Sequence, residues 1–325
     1  MSEILAIDLI KNLQAHQIWW DDSLSEPVDI RDDVAPTDIE TDVEIKGEWT
    51  PIKTDRIDYR RKVVIVDGVR RIDAHLILGD TGRSALLGEF VVGAFSLGEG
   101  RVIKRTNECV IILPPGIHMN GSLKIGKAEY KPFPAVKATE EGIYSSFIQR
   151  MREKERDLAY EFSRDGYVVI ADGPLQVPFS EIGVTLGFIK SIRRSYLYGK
   201  YWDLVLGLKM GERSPIFLIK TSENLPPKYS WYLRLKEPKY FESPFFGLVR
   251  IEAPSNLELE YVCELAQFSG GFLPYIVSSA TLSSRAPENL APLESLERRL
   301  RAMFHPVDHI RATLRRMIAQ AYKEV

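Results

Sequence analysis

Apolar positions along the chain fall into two kinds of pattern. Unbroken runs of β-branched and aliphatic residues occupy 62–66 (Lys-Val-Val-Ile-Val) and 167–171 (Tyr-Val-Val-Ile-Ala), the signature of strands buried on both faces. Each run stops at an aspartate followed by glycine, Asp67-Gly68 and Asp172-Gly173. Further strands are expected at 71–78 after a short turn, within 84–96, over 101–113 as a strand pair, and at 201–208, 215–220, 231–235 and 246–252. Pro114-Pro115-Gly116 breaks the chain into a loop-like stretch over 117–138 with room for a small β excursion. Between 139 and 163 the period becomes helical, with Ile143, Phe147, Met151, Leu158 and Phe162 on one stripe. Helices are also expected at 3–20, 256–268, 293–303 and 305–322, and a short helix or turn within 179–197.

This order predicts a ribonuclease H-like fold: strand ending in Asp, antiparallel strands, helix, strand ending in Asp, then C-terminal helices. The fold class expected is therefore α/β, a mixed sheet flanked by helices, with helical extensions at both termini. A Rossmann unit would put a helix and a glycine-rich turn directly after the first strand. Here Asp67-Gly-Val-Arg-Arg71 leads into another strand, and neither GxGxxG nor GxxxxGK[ST] occurs. The expected division is an N-terminal helix and acidic irregular segment over 1–58, then one domain over 59–325 with a possible β insertion near 100–138.

A single Asp-Gly is most often a turn. Two with the same preceding strand read differently, because a carboxylate at the end of a buried parallel strand enters the crevice where α/β sheets bind ligands. Like charges held close need a cation or a raised pKa. A third carboxylate is expected from helix 139–163, whose candidates are Glu140, Glu141, Glu153, Glu155, Asp157 and Glu161. Glu155 lies four residues after Met151 and three before Leu158, on the apolar side, and a carboxylate there needs a partner. Glu153 is the runner-up. In ribonuclease H-like nucleases such carboxylates hold two divalent ions about 4 Å apart, one activating water and one stabilising the leaving oxygen. Hard oxygen ligands suit Mg²⁺ or Mn²⁺.

Composition narrows the class. With 45% hydrophobic and 27% charged residues in 325, the chain reads as a soluble globular protein, and no run approaches a membrane span. The N-terminus lacks the basic and apolar regions of a signal peptide, so a cytoplasmic location is expected. Cys109 and Cys263 form no CxxC or Cys/His cluster, which argues against a disulfide framework or structural zinc. The net charge of −2 hides an asymmetry: residues 21–44 hold ten acidic side chains against one arginine, so the rest of the chain carries +7. That acidic stretch reads as a linker, a DNA mimic or a docking strap. Basic clusters at Arg60-Arg61-Lys62, Arg70-Arg71, Lys190 with Arg193-Arg194, and Arg298-Arg299 with Arg301 suit a phosphodiester ligand.

Five segments in order resemble the motifs of the NurA nucleases. They are Val63-Val-Ile-Val-Asp67-Gly-Val-Arg-Arg-Ile-Asp73, Met151-Arg-Glu-Lys-Glu155-Arg-Asp-Leu-Ala159, Val168-Val-Ile-Ala-Asp172-Gly-Pro-Leu175, Gly187-Phe-Ile-Lys190 and Gly247-Leu-Val-Arg-Ile-Glu252. The similarity covers roughly residues 60 to 302 and lies nearest the bacterial NurA-like branch. It implies a Mn²⁺-dependent DNA exonuclease and single-strand endonuclease, a homodimer, and pairing with a hexameric HerA-type translocase ATPase at DNA ends. By motif, Asp67, Glu155 and Asp172 are implied as metal ligands and Lys190 as the contact to the scissile phosphate. Arg70 or Arg71 would offset charge on the phosphate, and Arg193 and Arg194 would track the strand backbone. The C-terminal stretch departs from the archaeal pattern, because 285–297 holds no histidine. Asn289 there is either a hydrogen-bonding or metal-facing residue or the N-cap of the next helix, and His305 and His309 stand as outside possibilities. Two rival readings are a catalytically inactive adaptor of a DNA translocase and an RNA-directed nuclease of the same fold.

Overall fold

A computed structural model describes residues 10–11, 15–19, 38–58, 62–79, 82–175, 184–190, 192, 195–220, 226–279 and 287–322. The first core strands form one antiparallel meander: β4 (Val63–Leu78), β5 (Arg83–Ser96) and β6 (Arg101–Leu113). Helix α1 (Glu140–Arg164) then crosses the sheet. Its start is fixed by Thr139, whose hydroxyl accepts from the Gly142 amide, and Glu140 and Glu141 complement the positive end of its dipole. The stripe Ile143, Phe147, Met151, Leu158 and Phe162 is buried as its spacing predicts.

The chain returns in β9 (Val168–Asp172), parallel to β4, followed by β10 (Thr185–Ile189), parallel to β9. The central order β6-β5-β4-β9-β10, with the first three antiparallel and the last two parallel to β4, is the ribonuclease H-like arrangement. Beyond β10 the sheet continues through β14 (Leu248–Pro254), β13 (Lys228–Arg234), β12 (Phe217–Lys220) and β2 (Asp38–Glu40). At the other edge β8 (Ala128–Pro134) and β7 (Leu123–Ile125) extend it past β6, so 117–138 joins the same sheet.

One face carries α1. The other carries α3 (Leu259–Phe272) and α4 (Ala291–Arg301), with α5 (Val307–Tyr322) over its far end, against Leu76, Ile111 and Tyr130.

Several local expectations are corrected. The helix expected over 3–20 is not continuous: Ala15–Trp19 is strand β1, antiparallel to the end of β4, and the rest of that segment lies mostly outside the described residues. Residues 101–113 form one strand, not a pair. The stretch 201–208, expected as a strand, is helix α2 (Lys200–Leu206), while the 179–197 helix or turn contains β10. Its aromatic residues decide the matter for α2: Tyr201 and Trp202 lie against Trp49 and Tyr232, a tertiary demand that overrides local pattern.

Part of the acidic segment is built into the fold. Asp38–Glu40 pairs with β12, and Glu44 forms a bidentate ion pair with buried Arg213 at 2.7 and 2.8 Å while also accepting from the Ile216 amide. Residues 38–44 are therefore not linker; 21–37 lie outside the described residues.

Candidate metal centre

Asp67 does not end its strand. β4 runs on for eleven residues beyond it, paired with β5 except at Asp73, where the register shifts, whereas β9 stops at Asp172 and turns through Gly173 at φ +92°. The last pairing between the two strands is Val66 with Ala171, so Asp67 and Asp172 are side by side where β9 gives out. Both project to the face carrying α4. Beyond that point the edge of β4 facing β9 has lost its partner, and the Gly68 amide there is bonded by the carboxylate of Glu155.

Two missing side chains let two helices approach. A Cβ on Gly68 would collide with Oε1 of Glu155 and lie 3.2 Å from Met151, so the glycine leaves the space that the Glu155 carboxylate fills. Gly93 is the cross-strand partner of Asp67 on β5, and a Cβ there would come within 2.7 Å of Leu300. Its absence lets α4 settle against the sheet and brings Glu297 over Asp67. Carboxylate oxygens of Asp67, Asp172 and Glu297 all lie within 4.8 Å of one another.

The electrostatics are those of a cation site. Burial, followed by the charges of Asp172, Glu155 and Glu297, holds the Asp67 carboxyl well above the usual carboxylate range. Burial likewise pushes Glu155 up to about 7, with Asp172 adding to the shift and Arg152, Arg70 and the Gly68 amide opposing it. Oδ1 of Asp172 is buried with no hydrogen-bond partner, and the donors converging here are all carboxylate oxygens. This set fits a hard divalent ion of the Mg²⁺ or Mn²⁺ class held by Asp67, Asp172 and Glu297; Glu155, expected as the third ligand, is not in the group whose oxygens lie within 4.8 Å and accepts from the Gly68 amide instead.

Lys190, directly after β10, places Nζ 2.9 Å from Oδ2 of Asp172 and donates to Oδ1 of Asn289 at 3.2 Å. Asn289 is buried, and the cap position of α4 is Leu290, with no side-chain cap. The N-cap reading of Asn289 is thus replaced by a bond to the site lysine. Arg70 donates to the Tyr144 hydroxyl at 3.3 Å, and its charge reaches Glu155.

Arg71 goes elsewhere, and its expected place at the phosphate is corrected. Its guanidinium pairs with Asp73 at 2.7 Å and Glu89 at 2.9 Å, beside the ring of Phe304. Arg71, Glu89, Cys109 and Tyr130 form one cross-strand row over β4, β5, β6 and β8. Glu89 also accepts from Asn107 and from the backbone and ring of His305. Glu89, Cys109 and His305 have metal-ligand spacing, but the carboxylate is saturated with donors, and burial pushes the Cys109 thiol up to about 12. The cluster is a clamp on the corner between α4 and α5.

Glu153, the runner-up on α1, is held by Arg150 at 3.1 Å. His309 packs over Gly126. Arg193 and Arg194 lie outside the described residues. Glu297 is the residue the sequence reading missed. Its position four after Leu293 and three before Leu300 meets the same criterion that selected Glu155.

No protein-family model matches the chain, and no curated relative does. Solved structures similar to it include Ciona intestinalis endonuclease V in complex with a 24mer DNA containing an inosine followed by a ribo-adenosine. That chain is 11% identical, with 77% of this chain and 90% of that one covered and a TM-score of 0.31. Human ENDOV is 16% identical, with 81% and 93% covered and a TM-score of 0.28. Likenesses of that order leave the site to be judged by its own geometry.

Proposed function

We propose that the chain is a divalent-metal-dependent nuclease that hydrolyses phosphodiesters in DNA. The observation carrying this reading is the convergence of Asp67, Asp172 and Glu297 oxygens within 4.8 Å, from two parallel strands and a helix. Divalent ions bound there supply Lewis acidity at a phosphoryl oxygen and a water acidified toward neutrality. The remaining work belongs to the side chains. Asp67, Asp172 and Glu297 hold the cation. Glu155, anchored on the Gly68 amide beside Asp67 and Asp172, would orient a water or pass a proton at the site. Lys190, steadied by Asn289 and 2.9 Å from Asp172, would offer its ammonium to a phosphate oxygen of the substrate. Arg70 adds positive charge on the Glu155 side.

The finer assignment rests on the ordered motifs. It is a NurA-type enzyme with endonuclease activity on single strands and exonuclease activity at DNA ends, using two Mn²⁺ or Mg²⁺ ions, as a homodimer beside a HerA-type ATPase. Incubating the full chain with labelled single-stranded DNA and matched RNA, in Mn²⁺ or in EDTA, tests it. Cleavage of DNA in Mn²⁺, absent in EDTA and in Asp67→Ala, is expected. RNA cleavage alone would favour the RNA-directed reading, and no cleavage with any divalent metal would favour the inactive adaptor.

A further inference from the structure

A cleft of about 370 Å³ is lined in part by Lys190, the residue paired with Asp172. Its walls are Ile192, Phe245, Phe246 and Leu248, with Ser243 and Glu288 as polar groups. Ligand clefts run from roughly 300 to 1,000 Å³, so this one has room for a single nucleotide's base and sugar and none for a duplex. Because Lys190 both lines the cleft and lies 2.9 Å from Asp172, a phosphate at the lysine would deliver the attached base here.

The segment 235–247 between β13 and β14 forms the rim, and it is stiffly built. Arg234, fully buried, donates to four backbone carbonyls: Leu206 and Leu208 at the end of α2, and Pro244 and Phe246 in the rim. Gly247, at φ +66°, permits a backbone approach to Lys236 that any Cβ would block, and its amide donates to Glu288 at 2.6 Å. On this frame stand two aromatic rings with no burial to justify them, Tyr240 at 107% exposed and Phe241 at 81%, and beside them Phe245, 43% exposed with its ring 5.9 Å from that of Trp202. Lys239 lies 6.0 Å over Phe241. Exposed aromatics interleaved with lysine on a rigid rim are the makings of a stacking platform for unpaired bases.

We infer that this cleft and rim are a single-strand binding subsite, in which one unstacked base of the DNA strand lies against Phe245 and its neighbours stack on Tyr240 and Phe241. The inference rests on the carboxylate cluster being the phosphodiester site, and it names the substrate form that site receives.

The test is fluorescence anisotropy of the full chain with a labelled oligothymidylate in EDTA, where no cleavage intervenes, compared with a duplex of the same length. Phe245→Ala and the double variant Tyr240→Ala/Phe241→Ala should each weaken single-strand binding roughly 5- to 150-fold, the range of one base stacked on an aromatic ring, and leave duplex binding unchanged. A single abasic nucleotide walked along the strand should weaken wild-type binding and have little effect on Phe245→Ala. Wild-type affinity in both variants, equal losses on duplex, or no single-strand binding by the wild type would overturn the inference. The double variant alters only exposed rings, so it decides the matter even if Phe245→Ala fails to fold. Wild-type cleavage in Mn²⁺ is read separately: binding through the rim without cleavage would sink the nuclease reading and spare the subsite, and cleavage with unaltered variant binding would do the reverse.

Discussion

Asp67, Asp172, Glu155 and Glu297 form a cluster that the folded chain tolerates at a cost in stability. In metal-free protein Glu155 keeps its proton up to about pH 7, whereas in the unfolded chain it loses it near its ordinary value of about 4.3. Between those limits the folded state binds more protons, so stability falls as pH rises through the window and levels off above it. Asp67, also raised, acts in the same direction. Thermal denaturation in EDTA should therefore give a melting temperature that drops from pH 5 to pH 8. Glu155→Gln and Asp67→Asn should flatten that slope and melt above wild type at pH 8, by an amount on the order of a few kcal/mol at most. A wild-type melting temperature that climbs over this range would contradict the assignment. Lys190 is tested on activity: removing one positioned donor to a developing charge costs roughly 10²–10³ in kcat, and Lys190→Ala should fall in that range.

At the scale of elements, the site depends on how closely two helices reach the sheet. Gly68→Ala would put a methyl group into the space of the Glu155 carboxylate and against Met151. Overpacking of that kind costs about 1–3 kcal/mol, and here it displaces the part of α1 that carries Glu155. The expected outcome is a folded protein, by circular dichroism, with nuclease activity lowered at least tenfold. The row Arg71, Glu89, Cys109 and Tyr130 secures the other helix, because Glu89 grips both the backbone and the ring of His305 where α4 turns into α5. Glu89→Ala leaves a charge in the sheet short of its partner, a change worth about 3–5 kcal/mol, and should lower the denaturant midpoint correspondingly while loosening the placement of Glu297.

Over the whole molecule, the parts most legible in sequence were those whose burial dictates composition. β9 and α1 read correctly because a strand covered on both faces has little choice but Val and Ile, and a helix crossing it needs one continuous stripe; β4 reads as two strands parted by a turn at Asp67-Gly68, where one strand runs through from Val63 to Leu78. Asp172 was legible for the same reason, lying at the end of such a strand, whereas Lys190 was marked only by the segment Gly187-Phe-Ile-Lys190, its strand β10 reading as helix or turn. Glu297 was missed because the order of elements directed the third carboxylate to helix 139–163, although Glu297 shares the apolar side of its own helix with Leu293 and Leu300. Arg71 was misplaced because its cross-strand neighbour on β5 is buried Glu89, which takes up its guanidinium and is not visible from the basic cluster alone. β1 was unreadable because it fills an edge of β4 left open after β9 ends, a vacancy set by another part of the chain.

Direct titration of Mn²⁺ into the metal-free full chain at pH 8, followed by isothermal calorimetry, bears on the convergence of Asp67, Asp172 and Glu297 more immediately than any activity assay. Saturable binding in wild type and in Glu153→Gln, abolished in Asp67→Asn and strongly weakened in Glu297→Gln, is the predicted result. Absence of Mn²⁺ and Mg²⁺ binding in wild type, or undiminished affinity in the Asp67 and Glu297 variants, would contradict it.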